Sequence, residues 1–215
     1  NNDVYTIKER KVVLPTWLDT LIFNDLSANY CRQNKDMVVL EWNFDDIKKY
    51  LGTYFPRSYA ESFCIFSNFF SKEKYVYENC QELSIFDFGC GTGGELIGFI
   101  IAVTKQLPNI KKITISALDG NSYALKCLEC ILEKTAQVLC LDIEGKLIPV
   151  IIDDCYDMQV VEQIITQSYD FVISFKAICE FVTKQQFEQQ NPYEHIINVF
   201  MPKLSSKGVI CLADV

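Results

Sequence analysis

Arginine and histidine are scarce in this chain. Among its 215 residues there are three arginines, Arg10, Arg32 and Arg57, and one histidine, His195, and the net charge is −8. From residue 83 onward there are 16 acidic against 10 basic residues. Proteins that bind nucleic acid obtain much of their affinity from lysine and arginine side chains that neutralise phosphates. The sequence therefore favours a small-molecule or protein partner over nucleic acid, unless a partner subunit supplies a basic surface.

Long apolar runs are absent as well. No run reaches the ~20 residues that a membrane-spanning helix needs. The first residues, Asn-Asn-Asp-Val, do not resemble a signal peptide. We therefore expect no membrane association and a cytoplasmic location. Because the sequence does not begin with methionine, we expect a processed or trimmed chain.

Cysteine is frequent, but its pattern is not typical of a metal site. Ten cysteines in apolar segments indicate a reducing compartment and buried, unpaired thiols, among them Cys64, Cys90, Cys140, Cys179 and Cys211. Only Cys127 and Cys130 form a C-x-x-C pair, and no second pair follows at the spacing of a zinc finger. We expect no metal, and a metal or iron–sulfur role for this pair, with Cys140 or Cys155, is the less favoured alternative.

The most informative segment is residues 83–95, LSIFDFGCGTGGE. An apolar stretch runs into glycines at alternate positions, Gly89, Gly91 and Gly93, and a helical pattern follows. This order indicates a strand, a tight turn and a helix. Glycine suits such a turn because it adopts backbone angles that a Cβ forbids and lets the backbone lie against a ligand. Asp87 places a carboxylate at the end of the strand, which suits a cationic ligand better than a pyrophosphate.

Two families of nucleotide-binding proteins use turns of this kind. Gly89, Gly91 and Gly94 also satisfy the G-x-G-x-x-G pattern of dinucleotide sites. In such sites phosphates bind at the helix N-terminus, and here Asp87 and Glu95 would repel them. The segment Phe-Asp-Phe-Gly-Cys-Gly-Thr-Gly resembles instead the first motif of the class I S-adenosylmethionine-dependent methyltransferases. The resemblance implies the cofactor S-adenosylmethionine, which carries an ammonium and a sulfonium and no phosphate.

The resemblance also implies which residues contact the cofactor. Asp87 and Gly89 would lie against its methionine part, while Phe88 is expected in the core because neighbouring strand residues point to opposite faces. Asp119 stands at the end of the second predicted strand, where a carboxylate can accept hydrogen bonds from both ribose hydroxyls. The other implied cofactor contacts are Cys90, Gly91, Thr92, Gly93, Gly120 and Ser174.

The adenine contacts are expected after the third predicted strand. By position, Asp154 and Cys155 fit best as the acid on the adenine amino group and the amide on the ring. Asp153 is the near alternative for the acid.

No catalytic residue is identified, and the acceptor contacts are the least specific assignment. The segment after the fourth predicted strand, SFKAICEF, lacks the Asn/Asp-Pro-Pro-aromatic motif of family members that methylate base amines or glutamine amides. Lys176 and Glu180 are candidate acceptor contacts in this segment, although surface roles are favoured for both. Tyr59 is a candidate lid, although aromatic residues at helical spacing are more often core. His195 is expected on a surface helix and not in catalysis.

Alternating strand and helix patterns predict an α/β fold with a doubly wound, mainly parallel Rossmann-like sheet and helices on both faces. Residues 1–82 are expected to form a helical extension or cap, and residues 83–215 the cofactor-binding core of one compact unit. In the extension we predict helices over 16–30, 43–50 with Asn43 as N-cap, and 58–70 opened by Pro56. In the core we predict strands over 84–88, 113–118, 147–152, 171–175 and 208–213.

The predicted helices between these strands cover 94–105, 121–135, 158–166 and 177–181, and another begins at Pro192. Class I methyltransferases close their sheet with a β-hairpin after the fifth strand. The pattern here ends at that strand, so the hairpin is expected to be missing from this chain.

The favoured function is methyl transfer from S-adenosylmethionine to a small-molecule or protein acceptor. The alternative is a catalytically silent methyltransferase fold that serves as a binding module or partner subunit. One such type is a methyltransferase-like family of mitochondrial ribosome assembly, which residues 55–63, the glycine turn and residues 178–181 faintly resemble. The cysteine-rich cluster of that family is not evident. The sequence does not indicate an oligomeric state.

Overall fold

The structure is a computed structural model that describes residues 6–8, 11–32 and 42–214. Arg10 and the first four residues, on which part of the sequence interpretation rests, lie outside the described residues. The chain begins with an antiparallel hairpin of β1 (Thr6–Lys8) and β2 (Lys11–Val13). Helix α1 (Thr16–Asp19) follows and continues as π-helical turns to Asp25.

The sequence indicated mostly helix in this region, so the hairpin is a correction. Strands of three residues are too short for an alternating apolar pattern to be recognised. The predicted helix over 16–30 also ends five residues early, at Asp25.

A parallel five-stranded sheet forms the centre of the fold. Its strands are β3 (Glu82–Phe88), β4 (Lys112–Asp119), β5 (Asp142–Pro149), β6 (Tyr169–Phe175) and β7 (Leu204–Ala213), in the spatial order β5-β4-β3-β6-β7. All neighbouring strands are parallel. Along the chain, the sheet begins with its central strand β3 and continues with β4 and β5 on one side. Strands β6 and β7 then follow on the other side of β3. The doubly wound Rossmann-like fold predicted from the sequence is confirmed.

Helices cover both faces of this sheet. They are α3 (Gly94–Gln106), α4 (Ser122–Leu139), α5 (Gln159–Ile164), α6 (Lys184–Gln189) and α7 (Pro192–Phe200). The alternation of β3 divides the core in two, because Leu83 and Ile85 pack with the α3 and α4 side, whereas Phe86 and Phe88 pack with the α5 and α7 side. The core position predicted for Phe88 is confirmed. Asp87 lies on the same face of β3 as Leu83 and Ile85 and is therefore directed at α3.

One long helix, α2 (Phe44–Tyr77), lies against α3. Asn43 caps it as predicted, since its Oδ1 accepts hydrogen bonds from the amides of Asp45 and Asp46 at 2.9 and 3.1 Å. Pro56, however, lies inside this helix instead of opening a second one. Close packing on α3 outweighs the backbone hydrogen bond that proline removes. The approach is so tight that a Cβ on Gly94 would come within 2.5 Å of the Phe55 carbonyl oxygen.

The remaining differences concern partly exposed elements. Strand β5 covers 142–149 instead of 147–152, because much of this edge strand is exposed and polar and gives little apolar signal. The predicted helix over 177–181 is a single 3₁₀ turn at Ile178–Glu180, and α6 was not predicted. All ten cysteines are free, but Cys64 and Cys140 are exposed, contrary to expectation. Within the described part of the chain, no helix has the length and apolar character of a membrane span.

Candidate functional site

A cavity opens at the carboxyl ends of β3, β4 and β6, where the strand order reverses. This is the position at which open α/β sheets bind their ligands. Its lining residues come from α2, from the loops after β3, β4 and β5, and from the segment after β6. They are Tyr50, Gly89, Leu118, Asp119, Gly120, Val150, Ile152, Asp153, Phe175, Lys176, Ala177, Glu180 and Phe181.

The glycine turn reaches the cavity through Gly89. Gly89, Gly91 and Gly93 have φ values of 74°, 49° and 79°, which residues other than glycine rarely adopt. The amides of Gly89 and Cys90 donate to the Leu118 carbonyl at 2.9 and 3.0 Å, so the turn is attached to the neighbouring strand β4. Gly93 precedes α3 directly. These hydrogen bonds hold the turn, and the start of α3 that follows it, close to the end of β4.

Asp119 lies at the end of β4, as predicted, and lines the cavity. One carboxylate oxygen accepts from the Gly91 amide at 2.8 Å and the other from the Asn121 amide at 2.8 Å. Burial raises the pKa of Asp119, and these two backbone hydrogen bonds act in the opposite direction. The carboxylate is thus held in one orientation at the edge of the turn.

Asp87 and Glu95 form a buried acidic pair beside the turn. Asp87 is fully buried, and neither of its carboxyl oxygens has a hydrogen-bond partner among the described residues. Burial, with Glu95 and Asp119 nearby, raises the pKa of Asp87 well above its usual range. Glu95, in the first turn of α3, is 4% exposed, and burial raises its pKa to about 8. Neighbouring buried carboxyl groups do not ionise together easily, so this pair is suited to a cationic ligand.

Tyr50, which the sequence did not indicate, covers the turn from α2. Its hydroxyl oxygen would lie 2.8 Å from a Cβ on Gly91, and its ring stacks on Tyr54 with centroids 5.0 Å apart. Burial and the nearby acids Glu95, Asp119 and Glu180 raise the pKa of Tyr50 well above 10. Tyr59, the candidate lid, has the more common core position of such aromatic residues: it is 1% exposed and stacks on Phe63, because its side of α2 faces α3. No local motif marks Tyr50, since its position depends on how α2 packs.

Lys176 and Glu180 both line the cavity. Lys176 follows β6 with a φ of 57°, and its amide donates to the Ala213 carbonyl at 2.7 Å. Its Nζ forms an ion pair with Glu61 of α2 at 2.6 Å. The structure therefore brings together the two residues that the sequence offered as acceptor contacts.

The loop after β5 differs from the expected arrangement. Asp153 lines the cavity, with Val150 and Ile152 beside it. Asp154 is directed elsewhere, since its carboxylate accepts from the Gln186 side chain at 3.1 Å and from the Tyr156 amide at 2.9 Å. The Cys155 amide donates to the Phe181 carbonyl at 3.2 Å, and its side chain is fully buried. Of the two acids weighed from the sequence, Asp153, the alternative, is therefore the one that lines the cavity, whereas Asp154 and Cys155 are not among its lining residues.

Three further residues of the implied set are buried behind the cavity wall. Ser174 donates through Oγ to the Phe88 carbonyl at 2.7 Å, which ties β6 to β3. The Cys90 side chain packs in the core, and burial raises the pKa of its thiol well above 9. Thr92 is 2% exposed within the turn. Their side chains support the turn, so any contact with a ligand would come from backbone atoms.

His195 and the cysteine pair lie away from this cavity. His195 is on α7, where its ring packs against Tyr156 at 4.8 Å between centroids. Cys127 is buried on α4 and Cys130 is partly buried. Across the described ranges, no group of three or more His, Cys, Asp or Glu side chains is placed to hold a metal ion.

Comparison with known proteins gives structural likeness only. No protein-family model matches the chain, and no curated protein is similar in sequence. A precorrin-6y C5,15-methyltransferase from Geobacter metallireducens is 19% identical, with a TM-score of 0.40, over 71% of this chain and 62% of that chain. Coclaurine N-methyltransferase bound to N-methylheliamine and S-adenosylhomocysteine is 14% identical, with a TM-score of 0.41, over 94% and 45% of the two chains.

A third structure, from Listeria monocytogenes, is provisionally described as a class I S-adenosylmethionine-dependent methyltransferase. It is 12% identical, with a TM-score of 0.46, over 90% of this chain and 50% of that chain. All three are thus described as methyltransferases. This chain spans 45–62% of their lengths. The likeness concerns the general α/β arrangement.

Proposed function

We propose that this chain is a class I S-adenosylmethionine-dependent methyltransferase that acts on a small-molecule or protein acceptor. The observation that carries the proposal is Asp87, a fully buried carboxyl group at the glycine turn whose two oxygens have no hydrogen-bond partner among the described residues. A buried polar group without a partner destabilises a fold, so it is expected where a ligand completes it. An ammonium group does so, whereas a pyrophosphate would be repelled.

The neighbouring residues fit the other parts of S-adenosylmethionine. Asp119 accepts one backbone hydrogen bond on each oxygen, which leaves lone pairs for the ribose hydroxyls. Asp153 offers an acceptor for the adenine amino group, and Val150 and Ile152 offer an apolar surface for the ring. When bound, the cofactor supplies a methyl group on a positively charged sulfur. Asp87 and Glu95 would hold its methionine part by accepting hydrogen bonds from the ammonium.

The chain contributes to transfer chiefly by holding the acceptor in line with the methyl group and by excluding water. Tyr50 and Phe181 provide bulky walls on opposite elements, and Ala177 lies directly against Gly89. Glu180 adds a carboxylate to the same wall. An acidic wall favours a neutral or cationic acceptor, such as an amine, over an acid. Glu180 would then orient the acceptor through its N–H groups.

Calorimetry on the purified chain tests cofactor binding. S-Adenosylmethionine and S-adenosylhomocysteine are expected to bind, and NAD is expected to bind more weakly because of Asp87 and Glu95. Asp87→Asn should weaken binding of S-adenosylmethionine by about tenfold or more through loss of a charge-assisted contact. Asp142→Asn, at an exposed position in β5, is the matched control and should leave binding unchanged. Tighter binding of NAD would contradict the proposal.

The silent binding module is the second candidate, because neither a catalytic residue nor an acceptor motif is identified in the sequence. Incubation with radiolabelled S-adenosylmethionine and cell extract separates the two functions. Label transferred to a metabolite or protein supports the enzyme, whereas cofactor binding without transfer supports the module.

Charge supports the expectation that the acceptor is not a nucleic acid. The chain carries a net charge of −8, and nucleic-acid binding depends on clustered basic side chains. Gel-shift titration with RNA and DNA at physiological salt should show no binding tighter than the micromolar range of non-specific association. Tight, salt-sensitive binding would instead support the ribosome-assembly alternative. Ten free cysteines fit a reducing compartment, and we include a cytoplasmic location in the proposal.

A further inference from the structure

The cavity is lined by side chains of both charges. Asp119, Asp153 and Glu180 are acidic, and among the lining residues of the described chain Lys176 is the one cation. An all-acidic wall would already suit an ammonium or a sulfonium. A lysine at this position indicates that the ligand also carries a negative group.

The backbone holds Lys176 in a fixed and unusual conformation. Its φ of 57° lies in the left-handed region, which residues other than glycine, asparagine and aspartate rarely adopt. Its amide is bonded to Ala213 of β7, and the next residue, Ala177, lies directly against Gly89. Such conformations persist where the surrounding structure imposes them, and they cluster at binding sites. The side chain of Lys176 lines the cavity and reaches Glu61 of α2.

The positive charge of Lys176 also acts on the buried acid Glu95. The charge of Lys176 lowers the pKa of Glu95, against the larger effect of burial. Glu95 in turn raises the pKa of Asp87. An amino acid presents an ammonium and a carboxylate a few ångströms apart, and the site presents carboxyl groups and an ammonium side by side. The two patterns are complementary.

Resting on the proposed function, we propose that Lys176 binds the carboxylate of the cofactor's methionine part, and that Glu61 competes with this carboxylate for it. The side chain of Glu61 is 47% exposed and that of Lys176 is 24% exposed, so their ion pair is partly in contact with solvent. Ion pairs of this kind contribute little stability. The carboxylate of a ligand whose ammonium is held by Asp87 can therefore replace Glu61 on Lys176.

The test compares two ligands that differ only in this carboxylate, S-adenosylmethionine and decarboxylated S-adenosylmethionine, by calorimetry. The wild-type chain should prefer the carboxylate-bearing ligand by about tenfold, the effect of one charge-assisted contact. Lys176→Met, which removes the charge and keeps an unbranched side chain only one atom shorter, should abolish this preference while binding of decarboxylated S-adenosylmethionine persists. Glu61→Gln should increase the preference, because the competing carboxylate is removed.

The outcomes distinguish this inference from the proposed function. If the wild-type chain binds neither ligand, the proposed function itself fails. If both ligands bind and Lys176→Met leaves the preference unchanged, the assignment of Lys176 is wrong and the carboxylate is bound elsewhere. Glu61→Gln provides a second test that does not depend on the folding of the lysine variant. An unchanged or reduced preference in Glu61→Gln would contradict the competition.

Discussion

The Asp119 carboxylate and the Gly91 amide are joined by a hydrogen bond of 2.8 Å, which connects the end of β4 to the glycine turn after β3. The second oxygen of the carboxylate accepts from the Asn121 amide, next to the start of α4. Asp119 therefore has a structural task in the fold besides the ribose contact proposed for it. The same side chain that would read the ligand also fixes the backbone against which the ligand would lie.

Asp119→Ala should consequently reduce both stability and binding. Two buried backbone amides lose their acceptor, which costs about 1–3 kcal/mol for each group left unsatisfied. We expect a lower midpoint in urea unfolding and loss of S-adenosylmethionine binding by calorimetry. Asp153→Ala is the comparison, since it removes a cavity carboxylate from a loop and should weaken binding with little effect on unfolding. Equal losses of stability in both variants would contradict the structural role of Asp119.

The contrast between Asp119 and Tyr50 explains how much the sequence could reveal. The turn and Asp119 belong to a local strand–turn–helix pattern with fixed spacing, so their positions follow from short-range backbone rules. The alternation of strand and helix patterns along the chain likewise predicted the parallel sheet. Tyr50 is brought to the turn by the packing of α2 on α3, which depends on contacts distant in sequence. Tyr59 is also an aromatic residue of α2, but it lies on the side of the helix that packs in the core.

The loop after β5 illustrates a second limit. Asp153 and Asp154 are adjacent acids, and the sequence favoured Asp154 by its position after a predicted strand that ended at residue 152, whereas β5 ends at Pro149. In an irregular loop, neighbouring side chains do not alternate between faces by rule. Asp154 instead bonds to Gln186 of α6, a helix that was not predicted. Which acid faces the cavity was therefore decided by a tertiary contact.

Gly91→Ala should destabilise the fold through the backbone and through Tyr50. The φ of 49° costs a residue with a Cβ roughly 1–2 kcal/mol, and the new Cβ would lie 2.8 Å from the Tyr50 hydroxyl oxygen. We expect a corresponding loss in the free energy of unfolding in urea. Gly145→Ala in β5 is the control, because its Cβ would meet Leu132 at an ordinary 3.5 Å. An equally large loss in the free energy of unfolding of Gly145→Ala would contradict a specific need for glycine at position 91.

Tyr50→Ala should open the cavity without removing any of the acids proposed to bind the cofactor. The ring covers Gly91 and contacts Tyr54 and Trp42, so its loss exposes the turn to solvent. We expect S-adenosylhomocysteine to dissociate faster in stopped-flow measurements, because the ligand is less enclosed. Tyr123→Ala, at a 41% exposed position, should leave the rate unchanged. An unchanged rate in Tyr50→Ala would mean that Tyr50 does not cover the ligand.

The buried acid Glu95 should make stability depend on pH in a characteristic direction. Burial raises its pKa in the folded chain from 4.5 to about 8, with Asp119 and Glu61 acting in the same direction and Lys176 and a backbone hydrogen bond against it. The pKa of the neighbouring Asp87 is raised as well. When the folded pKa exceeds the unfolded one, the folded state binds the extra proton between the two values. The stabilising contribution of Glu95 is therefore complete below pH 4.5 and is lost as the pH rises towards 8.

Glu95→Gln should abolish this part of the pH dependence, because glutamine keeps the shape of the side chain and does not titrate. Urea unfolding between pH 5 and 9 should show the wild-type free energy of unfolding falling over this range, with a smaller fall in Glu95→Gln. Because a cationic ligand favours the ionised acids, its binding to the wild-type chain at pH 7 should also release a proton. Calorimetry in buffers of different ionisation enthalpy measures that release directly. If Glu95→Gln and the wild-type chain show the same pH profile and neither releases a proton, the acids beside the turn are ionised before the ligand arrives.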